Sequence, residues 1–186
     1  MRWTLLSAAL VLGLASPVIA QEEAEHEEHA EHAAAPESGL RAELIQDVEQ
    51  LEQKYMGLAR AMDGHYDWRP GEGVRSVGEV FGHVANANFM IPGMAGVEAE
   101  MTDENFEQAD PETILEALEH SFRHAKHSIA AVPDEELDAP TKLFGQDATK
   151  RQVLQLLVTH MHEHLGQSIA YARTNGVAPP WSAGGE

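Results

Sequence analysis

The sequence predicts an all-α chain: a four-helix bundle with a crossover connection. Three observations predict it. Apolar residues recur at spacings of three and four in four separate segments. Two S/T-x-x-E/Q boxes and one Asp-Pro pair mark helix starts. Alternating runs of the kind that half-buried strands need are nearly absent. Four amphipathic helices in one chain must bury their stripes against one another, which is the logic of a bundle.

The first helix is expected from about Gly39 to Met62. Leu40, Leu44, Val48, Leu51, Tyr55, Leu58 and Met62 form its stripe, and it ends in the turn region DGHYDWRPGEGV. The second starts at Ser76, whose box with Glu79 satisfies two backbone donors that a helix start otherwise leaves orphaned. Val80, Val84 and Ala87 line one face of it with His83 among them, and Pro92-Gly93 should end or kink it. The third begins at the N-cap Asp110 with Pro111 in the first position, and its stripe is Ile114, Leu118, Phe122, Ala125 and Ile129. VPDEELDAPTKLFGQDA reads as a connection. The fourth starts with the box Thr149/Gln152, runs to about Thr174, and stops at Asn175-Gly176 ahead of Pro179-Pro180. The connection between the second and third helices is long enough for the crossover.

Residues 1–20, MRWTLLSAALVLGLASPVIA, read as a secretory signal peptide: one early charge at Arg2, an apolar run, then small residues before a cleavage point at Ala20/Gln21. The run is short for a membrane span, which needs roughly 20 apolar residues. The expected location is exported, periplasmic or secreted, with no stable membrane insertion after cleavage. Residues 21–38, QEEAEHEEHAEHAAAPES, hold seven Glu and three His (His26, His29, His32) and almost no bulky apolar residue. Such a run cannot offset its ordering entropy, so a disordered leader is expected. Its ligand-type side chains also suit weak metal scavenging. The bundle then occupies 39–182.

The chain has no cysteine, so its stability must come from a core and not from disulfides. Its net charge of −19 argues against nucleic acid and anionic membrane surfaces as partners, and favours cations.

The histidines carry the chemistry. Each residue turns a helix by about 100°, so His160 and His164 share one face while His162 points away. The fourth stripe reads Val153, Leu157, His160, His164, Gln167, Tyr171, which places two imidazoles where leucines belong. Two neutral rings side by side in an apolar bundle need partners for four nitrogens, and a divalent metal supplies one. His83, also on a core-facing stripe, is the candidate third ligand. A lone histidine there would read as a satisfied core residue, so the pair is the stronger signal. His120, His124 and His127 flank Phe122 instead of sharing its stripe and read as surface. The H-E-x-x-H motif is absent, because Met161 stands where its general base belongs. Glu163 reads as an outward or boundary residue. Gln167 and Tyr171, one and two turns beyond His164, are candidate polar groups beside the site, with Asn86 and Asn88 as further candidates.

Two stretches carry a family likeness. WRPGEGVRSVGEVFGHVANAN (Trp68 to Asn88) has the capped helix with a histidine two turns in. LLVTHMHEHLGQSIAYARTNGVAPP (Leu156 to Pro180) has the histidine pair, Gly-Gln, Tyr, Arg, Asn-Gly and a Pro-Pro ending. Together they resemble the DinB-like family, also called YfiT-like metalloenzymes, over about 39–182. The resemblance implies a four-helix bundle with a crossover and a three-histidine divalent metal site whose ligands fall on His83, His160 and His164. Members often carry a histidine directly before the last ligand, where this chain has Glu163, and familiar members are cytoplasmic and lack an export leader.

Three protein ligands leave an open position on the metal for water or a thiol, which is the catalytic pattern. The resemblance therefore implies metal-dependent hydrolysis, or transfer reactions of low-molecular-weight thiols, on a small molecule the sequence does not name. The rival expectation is a non-catalytic metal-binding or trafficking protein, which the acidic charge and leader suit. Zinc, nickel, iron and copper all fit three imidazoles. Bundles of this class also form homodimers through exposed helix faces.

Overall fold

The computed structural model describes residues 36–98 and 105–182, so the expected signal peptide at 1–20 and nearly all of the expected leader at 21–38 lie outside the described residues. Within them are α1 (Leu40–Ala61), α2 (Val77–Met90), α3 (Pro111–Ala131) and α4 (Lys150–Thr174), with a hairpin of β1 (Pro140–Leu143) and β2 (Gln146–Thr149) before α4.

The helix starts are those the sequence marks. Ser76 Oγ accepts from the Glu79 amide, and the Ser76 amide donates back to Glu79 Oε2 at 2.6 Å. Thr149 and Gln152 form the same reciprocal box at α4. Asp110 accepts from the amides of Glu112 and Thr113, ahead of Pro111. At Glu79 the Ser76 amide is the largest influence and holds the carboxyl below its usual pKa, with Arg69 assisting against burial. A carboxylate with a lowered folded pKa stabilises above its unfolded value and loses that contribution as pH falls through the folded one. Acid unfolding of Glu79→Gln should accordingly begin from a lower plateau yet fall less steeply below about pH 4.5 than wild type.

α1 packs on α3 and α4, and α2 packs on the same two, so α1–α2 and α3–α4 sit diagonally. α1 and α3 are antiparallel: the Arg41 guanidinium reaches Ala130 O and Asp134 at one end, and Tyr55 packs on Phe122 further along. α2 and α3 are parallel neighbours. Gly78 lies beside Ile114 at their start, and Asn88 donates to Ser121 Oγ at 3.2 Å towards their far end. Parallel neighbours force the connection to return along α2, about 21 Å for a straight 14-residue helix. The crossover therefore lies between the second and third helices, as expected.

That return path explains a glycine. A Cβ on Gly82 would collide with the Phe106 carbonyl and come within 2.6 Å of the Glu107 amide. The crossover thus lies directly on α2 at Gly82. Asn86 holds it there, donating to Asn105 Oδ1 and accepting from the Phe106 amide, while the Phe106 ring is buried.

The predicted stripes of α2 and α3 are buried throughout, and that of α1 from Val48 onward. Two features differ from expectation. The connection after α3 contains the β1–β2 hairpin, paired from Pro140↔Thr149 to Leu143↔Gln146. Its two-residue turn, Phe144-Gly145, has φ of 48° and 83°, as a type I′ hairpin turn requires, but lacks the Asn-Gly or Asp-Gly signature. His124 is not on the surface; it is 7 % exposed, stacked near Phe89 and within 3.3 Å of Ser128 Oγ, whereas His120 and His127 are exposed. The reason is that α3 is buried on two sides. A second row, Ala117, Ser121, His124 and Ser128, also at helical spacing, completes a buried face wider than one apolar stripe.

Tyr55 ties α1 to the middle of α4. It is fully buried, and its hydroxyl donates to Met161 O at 2.7 Å. Tyr55→Phe should lower unfolding free energy by about 1 kcal/mol in a denaturant titration, the net value of one such bond.

Candidate metal centre

α2 and α4 bring three imidazoles together. His83 sits two turns into α2, next to Gly82 and under the crossover; His160 and His164 are one turn apart on α4. Ring centroids are 5.1 Å (His83–His160), 4.8 Å (His83–His164) and 4.4 Å (His160–His164) apart. One ring nitrogen from each lies within 4.8 Å of the other two, an arrangement that can hold a metal ion.

The rings are half-buried and not central. α4 is turned so that Met161 and Leu165 occupy the apolar interior, with His160 and His164 beside them at its edge. This corrects the fully inward placement expected from the stripe. The row Leu154, Leu157, Val158, Met161 and Leu165 offers more apolar surface than the row containing the histidines, and burying it leaves the imidazoles at a boundary open to solvent.

The outer nitrogens decide the tautomers. His83 Nδ1–H donates to Glu107 Oε1 at 3.1 Å, and His164 Nδ1–H donates to Gln167 Oε1 at 2.8 Å. With Nδ1 as the donor, the Nε2 atom of each of these two rings presents a lone pair towards the cluster. His160 Nε2 faces His83 Nε2 at 3.2 Å, while His160 Nδ1 is buried without a hydrogen-bond partner. Two ligands of one tetrahedral ion with metal–nitrogen bonds near 2.05 Å are about 3.3 Å apart, so this pair already has the right separation. Converging acceptors and few donors are what a cation resolves, so the donor set fits a divalent ion.

Burial and neighbouring charges favour the neutral form of two of the rings. Burial lowers the His83 pKa, the Arg75 charge adds to it, and the hydrogen bond to Glu107 partly opposes. His160 falls to about 4, mainly through burial and then through its neighbours His164 and His83. Burial pushes the Glu107 carboxyl up, but its hydrogen bonds and attractions to Arg75 and His83 bring it below the usual carboxylate value.

Gln167 and Tyr171 follow His164 along the same side of α4. Gln167 Nε2–H donates to the Tyr171 hydroxyl at 2.9 Å, so a polar chain runs from His164 through Gln167 to Tyr171. The Trp68 ring backs Tyr171 edge-on at 5.3 Å. His162 and Glu163 point outward, and His162 pairs with Asp47 at 2.9 Å. Asn86 and Asn88 do not join the centre; they serve the crossover and α3. Sequence reasoning missed Glu107 and Arg75, which are joined at 3.0 Å. Neither lies on a periodic stripe, and only the fold of the crossover brings Glu107 to His83.

Comparison with known proteins bears on the fold and the family. No curated protein matches the chain. A crystal structure of a DinB-like protein from Bacillus cereus is similar, with a TM-score of 0.66 and 18 % identity over 74 % of this chain and 93 % of that one. A DinB-like protein from Bacillus subtilis gives a TM-score of 0.59 and 19 % identity over 72 % and 92 %. At such identities the likeness speaks for the fold. The sequence model of the DinB superfamily matches residues 47–168, which spans α2 and α3 completely, most of α1 and α4, and all three clustered histidines. With more than half of its length matched by that model, this chain belongs to the DinB superfamily.

Proposed function

We propose that the protein binds one divalent metal ion through His83, His160 and His164, and that this centre carries out metal-dependent chemistry of the hydrolase or thiol-transferase type on a small molecule. The observation that carries the reading is the convergence of three rings from two helices, two of them with Nδ1 held by an acceptor so that Nε2 presents a lone pair. When bound, the ion would supply Lewis-acid chemistry, polarising a carbonyl or acidifying a water or thiol at a position the protein leaves free. The chain's residues set the surroundings. Gln167 fixes the His164 ring, the Tyr171 hydroxyl accepts from Gln167 behind it, and the Trp68 ring packs edge-on against the Tyr171 ring. The half-buried rings leave an approach from solvent for a small substrate. Zinc, nickel and iron are the ions this donor set suits.

The test is elemental analysis of the purified protein together with turnover of ester, amide and thiol-adduct substrates. Stoichiometric metal with turnover supports the enzyme. A second reading, metal buffering or trafficking, is favoured by the net charge of −19 and the Glu/His run at 22–32. Deleting residues 21–38 separates the two. An enzyme keeps its affinity for the ion within about two-fold, whereas a buffering protein loses capacity and affinity with its arm, as a competition titration would read. Export is part of the proposal, and a mature N-terminus at Gln21 by mass spectrometry of protein from its native host is the expected result.

A further inference from the structure

We propose that Glu107, on the crossover between α2 and α3, is a positioning residue of the metal centre: it holds the His83 ring with Nδ1 protonated and Nε2 turned towards His160. The proposal rests on the reading of the three histidines as metal ligands.

The three rings are supported unequally. His164 leans on a neutral amide, Gln167, and His160 Nδ1 has no protein partner. His83 alone leans on a carboxylate. A carboxylate behind a ligating imidazole fixes its tautomer and orientation and makes it a stronger donor. It also places a negative charge near a centre whose other donors are neutral rings. Arg75 grips the same carboxylate from the other side, Nε to Oε2 at 3.0 Å and Nη2 to Oε1 at 3.4 Å, so Glu107 cannot swing away from His83 without breaking that fork.

Glu107 is not needed merely to dock the crossover. That segment is held independently by the buried Phe106 ring, by both hydrogen bonds of Asn86, and by the close approach over Gly82. The Arg75–Glu107 pair is itself 43 % and 26 % exposed, a setting in which an ion pair adds little to folding. The hydrogen bond to His83 is therefore the contact that gives a carboxylate a purpose at this position.

The experiment uses the full chain and cobalt(II) as the probe. Affinity is measured by competition with a chelator, and the visible absorption of low-coordinate cobalt reports the centre, not ions held loosely by the leader. Glu107→Ala should bind about 10–100-fold more weakly than wild type, the usual cost of removing an outer partner. Glu107→Gln keeps an acceptor oxygen and should recover most of that loss. His160→Ala serves as the reference. If it abolishes the cobalt spectrum while Glu107→Ala binds like wild type, the positioning role is overturned and the three-histidine centre stands. If His160→Ala leaves the spectrum unchanged, the metal reading fails and the role of Glu107 fails with it. Equal weakening in Glu107→Ala and Glu107→Gln, with an equal fall in the Tm of the metal-free chain, would show a docking residue only and also overturns the proposal.

Discussion

His160→Ala is expected to purify without stoichiometric metal. Apparent binding energies of structural zinc sites are roughly 10–16 kcal/mol, so each of four ligands accounts for about 3 kcal/mol, and loss of one should weaken binding at least 100-fold. In a site with only three protein ligands the loss leaves a two-histidine remnant on one turn of α2 and one of α4. The fold should survive, because the deleted ring is half-buried and its Nδ1 is a buried atom with no partner. Removing an unsatisfied polar group offsets part of the packing lost with the imidazole. Metal-free Tm should thus change little, while the rise in Tm on adding metal disappears. For wild type that rise corresponds to about 2.7 kcal/mol at a free metal concentration 100 times Kd. His162→Ala is the matched control: it lies two residues along the same helix, exposed and paired with Asp47, and should load metal normally. Equal metal content in the two variants would sink the centre.

Why was this pair of rings legible in advance, when the carboxylate behind His83 was not? The pair is a local feature. Spacing of four on one helix fixes two side chains on one face whatever the tertiary structure does. The caps at Ser76, Asp110 and Thr149 are legible for the same reason, since each is settled within one turn. Gln167 and Tyr171 extend the His164 face by the same rule. The rotation of α4 was harder. Two adjacent rows of that helix are both compatible with burial, and only packing against α1, with Tyr55 bonded to Met161 O, selects the row containing Met161. His124 failed in a similar way: a single stripe describes a helix packed on one side, and α3 is packed on two. The hairpin stayed hidden because Phe144, 63 % exposed, takes a left-handed φ where turn rules look for Asn or Gly. Glu107 is a purely tertiary result. It sits 24 positions after its partner His83, on a segment with no periodicity, and reaches that ring because the chain must return along α2.

That return path makes Gly82→Ala the substitution with the largest expected effect on the fold. In an exposed helix interior the change would stabilise, by about 1 kcal/mol, through helix propensity. Here the added methyl points into backbone, with the Phe106 carbonyl and the Glu107 amide in its way. Backbone cannot rotate aside as a flexible side-chain tip can, so either α2 or the crossover must move. Overpacking of this kind costs typically 1–3 kcal/mol, and collision with backbone puts it at about 3 kcal/mol net of the propensity gain. The crossover is the element that yields, because α2 is fixed by its capping box and by its buried face against α3 and α4. Its displacement lifts Phe106 from the core, breaks the Asn86 bonds and withdraws Glu107 from His83 together. Denaturant unfolding should show the stability loss, and metal affinity should fall by at least as much as in Glu107→Ala, although residue 82 carries no donor atom. Gly78→Ala makes the comparison sharp. Its added Cβ would meet the Tyr66 ring at 3.1 Å and the Tyr66 carbonyl at 3.3 Å, tight but short of a collision, and on the side of α2 that faces Ile114, away from the histidines. It should lose stability to a smaller degree and keep its metal. Were both variants to bind metal as tightly as wild type, the crossover would have no part in shaping the centre.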